Sequence, residues 1–303
     1  MAEHAVRTDG LTRRYGDVTA VDGVSLRVGR GEVYALLGLN GAGKSTTMRL
    51  LLGMVRPSAG SAEVLGTRVS ASASEVWRRV GHLVESATAY PELAVRENVR
   101  VAALLHGVRD EGPIVRVIEL LGLGEYERRR ARTLSQGNLQ RLALAMALVH
   151  EPELLLLDEP ISSLDPAGVV EIRELLRNLA RERGTTVIVS SHILSEVERL
   201  ATRIGILHRG RLIQELGAAE LDALRERRLE IRTHDAQRAA AALREAGWQP
   251  ESGGHGTITL REAAAVGDPA HIATLLVNAG TPPVHLAVAH DDIEQYFLRL
   301  VSS

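Results

Sequence analysis

Nine residues, Gly38-Leu39-Asn40-Gly41-Ala42-Gly43-Lys44-Ser45-Thr46, constrain the fold more than any other stretch of the chain. They follow Val33-Tyr34-Ala35-Leu36-Leu37, an apolar run that reads as a buried strand, and precede Met48-Arg49-Leu50-Leu51-Leu52, which reads as a helix. In that setting a G-x-x-x-x-G-K-[ST] string is a phosphate-binding loop. Glycines let backbone N–H groups wrap an anion without Cβ clashes, and the helix N-terminus adds its dipole at the same point. Lys44 is placed to meet the β- and γ-phosphates, and the Ser45 hydroxyl to ligate Mg²⁺. Lys44 is also the only lysine of the chain, in which arginine is abundant. A compact ammonium is therefore required at this one position.

Further along, Leu154-Leu155-Leu156-Leu157 has the uninterrupted apolar character of a strand buried on both faces. Asp158 and Glu159 follow it and would lie at the sheet edge where α/β proteins bind ligands. Asp158 is the expected Mg²⁺ partner, directly or through an intervening ligand, and Glu159 is positioned to orient a water for attack on a γ-phosphate. The alternative is a solvent-exposed carboxylate pair; the loop upstream favours catalysis. Asp165-Pro166 opens a helix that runs to about Arg183 and ends at Gly184. Thr186–Ser190 is another buried strand, and His192 at its end could hydrogen-bond a γ-phosphate or be structural. Before these elements, about Ser86 to His150 has helical periodicity with breaks at Gly107, Gly112-Pro113 and Gly122-Leu123-Gly124. This reads as a helical insertion in an α/β domain. It ends in Thr133–Arg141, a polar stretch that either caps the following helix or presents N–H groups to an anion. The segment up to about Leu37 reads as antiparallel strands, with a turn at Pro57–Gly60 and a further strand Ala62–Leu65 after the loop. Tyr15, in the first segment, either stacks on a nucleotide base or packs at a strand end.

The 303 residues suffice for two domains, and 45% hydrophobic content suits a buried core. A net charge of −2 gives no basic footprint for nucleic acid, which is not expected as a partner. The chain has no cysteine, so disulfides and thiolate metal sites are excluded. Met1–Asp9 lacks the apolar core of a signal peptide, and no apolar stretch has the length to cross a bilayer, so a cytoplasmic protein is expected.

In their order along the chain, these motifs resemble those of the ATP-binding subunit of ABC transporters over roughly the first 220 residues. Gly38–Thr46 resembles Walker A, Leu154–Glu159 Walker B, Ser135-Gln136-Gly137-Asn138-Leu139-Gln140 the signature motif, Ser163-Leu164-Asp165 the D-loop and His192 the switch histidine. Tyr15 matches the aromatic that stacks on adenine. The resemblance implies a P-loop NTPase of ABC ATPase type: an α/β domain (1–220) with an antiparallel β subdomain and a helical subdomain at about 86–150. It also implies ATP and Mg²⁺ as cofactors. Two copies, in a homodimer or heterodimer, would sandwich ATP, with Ser135, Gly137, Asn138 and Asp165 facing the nucleotide of the opposing subunit. A separately encoded polytopic permease would hold the ATPase at the cytoplasmic face of the membrane.

Two departures stand out. Gln136 replaces a usual glycine and Asn138 a usual glutamine. Glu85 stands where the family has a glutamine that touches Mg²⁺ and the attacking water; a carboxylate there can still ligate Mg²⁺. Glu85, with the string Gly81–Leu93, is similar to the branch serving bacitracin and lantibiotic exporters, which implies export of an antibiotic, drug or peptide. The alternative is a soluble ABC-type ATPase acting on ribosomes or nucleic acid; such factors usually carry two ATPase domains in one chain. After Leu212, a charged helical linker Leu221–Arg228 leads to residues 221–303, read as a small α+β accessory domain. Its expected elements are strands Leu229–Arg232, Thr257–Leu260 and Val284–Ala289, and helices Ala236–Ala246, Pro269–Ala279 and Asp291–Val301. The stretch Asp292–Leu298 resembles the tail of drug-exporter ATPases.

Overall fold

The computed structural model describes residues 4–70, 75–84, 89–217, 220, 227–253, 256–290 and 300. The chain divides into two compact units, Met1–Ala218 and Ala219–Ser303.

The first unit holds two sheets. Strands β1 (His4–Tyr15), β2 (Val18–Val24), β3 (Arg27–Gly29), β5 (Ala59–Val64) and β6 (Thr67–Arg68) form an antiparallel sheet in the order β2-β1-β5-β6, with β3 on β1. The second sheet has the order β11-β10-β4-β9-β8-β7, from β4 (Val33–Leu37), β7 (Val80–Leu83), β8 (Leu154–Asp158), β9 (Thr186–Ser191), β10 (Arg203–His208) and β11 (Arg211–Gly217). All neighbours in it are parallel except β10 and β11. Strands β4 and β9 are buried along their whole length, as sheets covered on both faces require. Helix α1 (Lys44–Leu51) buries Met48, Leu50 and Leu51 in one core with Ala5, Val6 and Leu11 of β1 and Leu154 and Leu156 of β8. The phosphate loop therefore ends on a helix fixed from both sheets.

Strand β5 starts at Ala59, inside the expected Pro57–Gly60 turn. The reason is Gly60: it has φ +77°, and a Cβ there would lie 2.2 Å from the Gly10 carbonyl oxygen. Without a side chain the backbone can close onto β1 and pair three residues earlier than the apolar pattern shows.

The expected helical region contains α2 (Val95–Leu105), α3 (Glu111–Leu120) and α4 (Gln136–Leu148). The break expected at Gly112-Pro113 is absent; both residues sit in the first turn of α3. First-turn N–H groups have no intrahelical acceptor, so a proline costs nothing there. Asn98 of α2 is fully buried and satisfied: its amide donates to the carbonyls of Tyr90, Leu93 and Ala94, and its oxygen accepts from Tyr90 N at 2.7 Å. One side chain thus fixes the loop into α2. Helix α5 (Pro166–Arg183) has Asp165 as N-cap, Pro166 in its first turn and Gly184 at φ +67° as its left-handed stop. Helix α6 (Leu194–Leu200) follows β9.

The second unit is a four-stranded antiparallel sheet, order β13-β14-β12-β15, with three helices bounded among the described residues. The elements are β12 (Arg227–Thr233), α7 (Ala236–Glu245), β13 (Glu251–Ser252), β14 (Thr257–Leu260), α8 (Ala263–Gly267), α9 (Pro269–Asn278) and β15 (Pro283–His290). Leu229, Ile231, Leu243, Ile258, Leu260, Ile272 and Leu276 form its core. Arg227 and Arg228, expected in a helical linker, are strand residues here, because Leu229 and Ile231 set a period of two that runs back through them. The rest of that linker and most of the expected Asp291–Val301 helix lie outside the described residues.

Candidate active site

Strands β4, β8 and β9 run parallel, so Leu37, Asp158 and Ser191 finish on one edge of the sheet. The phosphate loop, the acidic pair and His192 all leave from that edge. Leu39, Asn40 and Gly41 are exposed, Ala42 is buried and Gly43 is the left-handed N-cap of α1 at φ +104°. A Cβ on Gly43 would lie 2.5 Å from the Ala20 carbonyl oxygen, and one on Gly38 2.6 Å from that of Leu207. Both glycines are needed for the loop to pass this closely over the sheet. Ser45 and Thr46, half-buried, stand in the first turn of α1.

Lys44 is folded back into its own loop. Its ammonium donates to the Gly38 carbonyl at 2.7 Å and to that of Leu39 at 3.3 Å, and lies 3.9 Å from Glu159 Oε1. The side chain is only 7% exposed. Burial lowers its pKa from the ordinary lysine value, against the opposing fields of Glu159 and Asp158. An anion entering the loop would exchange weak carbonyl partners for charge-assisted ones.

Asp158 accepts a short hydrogen bond from the Ser190 hydroxyl on the neighbouring strand. In the sequence Ser190 marks only the end of a strand; its register opposite Asp158 emerges once β8 and β9 pair. Glu159 adopts φ +52°, a left-handed conformation rare for a residue with a side chain. Its N–H donates to the Ser190 carbonyl at 3.1 Å. Its Oε1 faces His192 Nδ1 at 2.8 Å, while Oε2 is buried with no hydrogen-bond partner. A buried carboxylate oxygen without a donor is costly, and it marks where a water or phosphate-bound species would be received. His192 itself is 47% exposed.

Ser135 is the N-cap of α4, its hydroxyl accepting from Asn138 N at 3.2 Å. Gly137 lies in the first turn beside Ser163 and Leu164. Asp165 accepts from Gly168 N at 2.9 Å, so its carboxylate already caps α5. Tyr15 ends β1 as an exposed residue, and the Arg13 guanidinium covers one face of its ring at 4.4 Å. Stacking on a base is left to the other face. Glu85 lies outside the described residues.

Among the described residues no group of three or more His, Asp or Glu could hold a metal alone. Ser45 and Asp158 are hard oxygen donors at the mouth of the loop, a pair that suits a Mg²⁺ carried in on phosphates. A separate cleft of about 880 Å³, lined by Arg30, Arg116, Leu148, Glu151, Glu153 and Leu179, opens at the opposite edge of the sheet. It is remote from this chemistry, and its arginines are already ion-paired to Glu151 and Glu153.

Residues 21–162 match the family described as ABC transporter. Over 296 residues the chain is 36% identical to the bacitracin transport ATP-binding protein BcrA of Bacillus licheniformis, covering 98% of this chain and 97% of that protein. The chain belongs to the ATP-binding proteins of ABC transporters. It is the ATPase subunit of such a transporter, and its nucleotide is ATP. It is also 42% identical over 226 residues to the daunorubicin resistance ATP-binding protein DrrA3 of Streptomyces coeruleorubidus, covering 74% of this chain and 71% of that protein. A solved structure described as the ATP-binding subunit of an ABC transporter superposes with a TM-score of 0.67 at 28% identity, over 72% of this chain and 92% of its own. The expected ABC ATPase fold is therefore correct. No helix among the described residues of this ABC protein is long and apolar enough to cross a membrane.

Proposed function

We propose that this ABC ATPase drives export of an antibiotic, drug or peptide through a separately encoded polytopic permease, from the cytoplasmic face of the membrane. The observation that carries this is the end-to-end similarity to a bacitracin transport protein, which includes the second unit as well as the ATPase core. Two copies close on two ATP molecules. Each site takes Gly38–Thr46, Asp158, Glu159 and His192 from one copy and Ser135, Gly137, Asn138 and Asp165 from the other. Lys44 leaves the carbonyls of Gly38 and Leu39 for the β- and γ-phosphates. Ser45, Asp158 and Glu85 would hold Mg²⁺, which would supply charge neutralisation of the phosphates. Glu159 orients the attacking water through the oxygen that no other group occupies, and His192 fixes the other oxygen. Tyr15 receives the adenine on its free face.

ATP binds the closed dimer better than the open one and so shifts the population to it; hydrolysis releases it. The helical region around Glu85 to Arg100 passes that motion to the permease. The second unit stabilises the dimer or docks a partner.

Glu159→Gln removes the carboxylate charge and keeps the shape, so the variant is expected to bind ATP and accumulate as an ATP-bound dimer by size-exclusion chromatography. Turnover at the wild-type rate would remove Glu159 from this role. Mild detergent extraction of tagged protein from its native cells, with co-purifying chains identified, tests the wider reading. A stoichiometric polytopic protein is expected; ribosomal proteins or nucleic acid without one would refute it.

A further inference from the structure

Gln140 lies in the second turn of α4, five residues beyond its N-cap Ser135. Its side chain leaves the helix and reaches the loop after β8. There Nε2 donates to the Glu159 carbonyl at 3.3 Å and to the Pro160 carbonyl at 2.9 Å. Both amide hydrogens have carbonyl acceptors, which fixes the orientation of the amide. The Glu159 carbonyl also accepts from the Ser162 hydroxyl at 3.0 Å. These contacts converge on the residue whose backbone is left-handed at φ +52°. Such a conformation persists where its surroundings over-determine it.

We propose that Gln140 is a positioning residue for Glu159: its amide pins the two carbonyls that hold the left-handed backbone and so aims the carboxylate. The inference rests on Glu159 being the water-orienting group. It also means that the α4 N-terminus, with Ser135 and Gly137, is tied by one side chain to the chain's own catalytic loop. A shift of α4 of about 1 Å is comparable with the tolerance of a hydrogen bond and would be felt at Glu159.

The alternative is that Gln140 merely staples α4 to the loop, which would affect stability and nucleotide affinity as much as turnover. Three variants of the full chain separate these. Gln140→Glu has the same length but sets a carboxylate against two carbonyl oxygens. Gln140→Leu keeps the bulk and removes the donors. Gln140→Lys keeps a donor at similar reach. The expected result is a kcat about ten- to thirtyfold lower in the first two, the effect of losing two ordinary hydrogen bonds. KM for ATP should stay at the wild-type value while the unfolding midpoint falls modestly in these two variants, with turnover largely restored in Gln140→Lys. Wild-type kcat in both Gln140→Glu and Gln140→Leu would overturn the proposal, as would parallel losses of kcat, affinity and stability in all three. Glu159→Gln measured alongside distinguishes the failures. An active Glu159→Gln overturns the role of Glu159 and this inference with it. An inactive Glu159→Gln beside fully active Gln140 variants overturns this inference alone.

Discussion

His150 provides a test of how the helical region is seated on the core. It follows α4, and its ring stacks on that of His106, the C-cap of α2, with centroids 3.6 Å apart and planes 4° from parallel. Burial, and then the fields of His106 and His82, lower its pKa from 6.5 to about 4. Because the folded value lies below the unfolded one, the unfolded chain binds more protons between these two pH values. The contribution of His150 is thus complete above pH 6.5 and is lost as pH falls through that window. Taken at face value, lowering pH from 8 to 5 removes about 2 kcal/mol; solvent screening at a half-buried ring reduces this to about 1 kcal/mol.

The chain has two tryptophans, Trp77 in the first unit and Trp248 in the second. In a Trp248→Phe background, fluorescence during urea unfolding therefore reports the first unit alone. His150→Phe keeps an aromatic face for His106 and removes the titrating group. Wild type should lose about 1 to 2 kcal/mol more stability than this variant between pH 8 and 5. Parallel pH profiles for the two proteins, or a His150 imidazole that titrates near 6.5 by NMR, would refute the reasoning.

Gly60→Ala should destabilise the first unit by about 2 to 4 kcal/mol in the same assay, since it combines a left-handed φ with a backbone collision. Gly107→Ala, with a positive φ but open space, should cost less; equal losses would count against the close approach to Gly10 as the cause. An amine-reactive acetylating reagent should modify only Lys44 and the α-amino group, and saturating ATP should suppress the reaction at Lys44, as read by peptide mass spectrometry. Labelling indifferent to ATP would mean that the ammonium stays on the Gly38 carbonyl when nucleotide binds.

The parts of the fold that were legible in the sequence are those in which local and global demands agree. The run Leu154–Leu157 has the same meaning alone as it has between two neighbouring strands. Asp165-Pro166 and Gly184 delimit α5 through capping chemistry that acts within a few residues. The misread parts depend on partners distant in sequence. Gly60 pairs because of Gly10, fifty residues earlier. Gly112-Pro113 reads as a break unless the start of the helix is known to lie just before it. Helix α8 is five residues of small side chains with too little periodicity to register. The site divides in the same way. The phosphate loop and the acidic pair are contiguous strings. The contacts of Ser190 and Gln140 become visible only when β9 pairs with β8 and when α4 settles beside the loop that follows β8.

Strand order has a consequence for what the site can accept. The strand that delivers Lys44 and the strand that delivers Asp158 and Glu159 are separated by β9. Neighbouring strands lie about 4.8 Å apart, so the two backbones are held roughly 9 to 10 Å from each other. Direct neighbours would bring the lysine loop and the carboxylates together with no room for a guest. A second intervening strand would put them beyond the joint reach of their side chains. The sheet thus works as a ruler graduated in whole strands, with a spacing that the side chains of Lys44 and Glu159 close to 3.9 Å between Nζ and Oε1. Side-chain changes can alter the chemistry within that gap, but only a change of topology can reset its width.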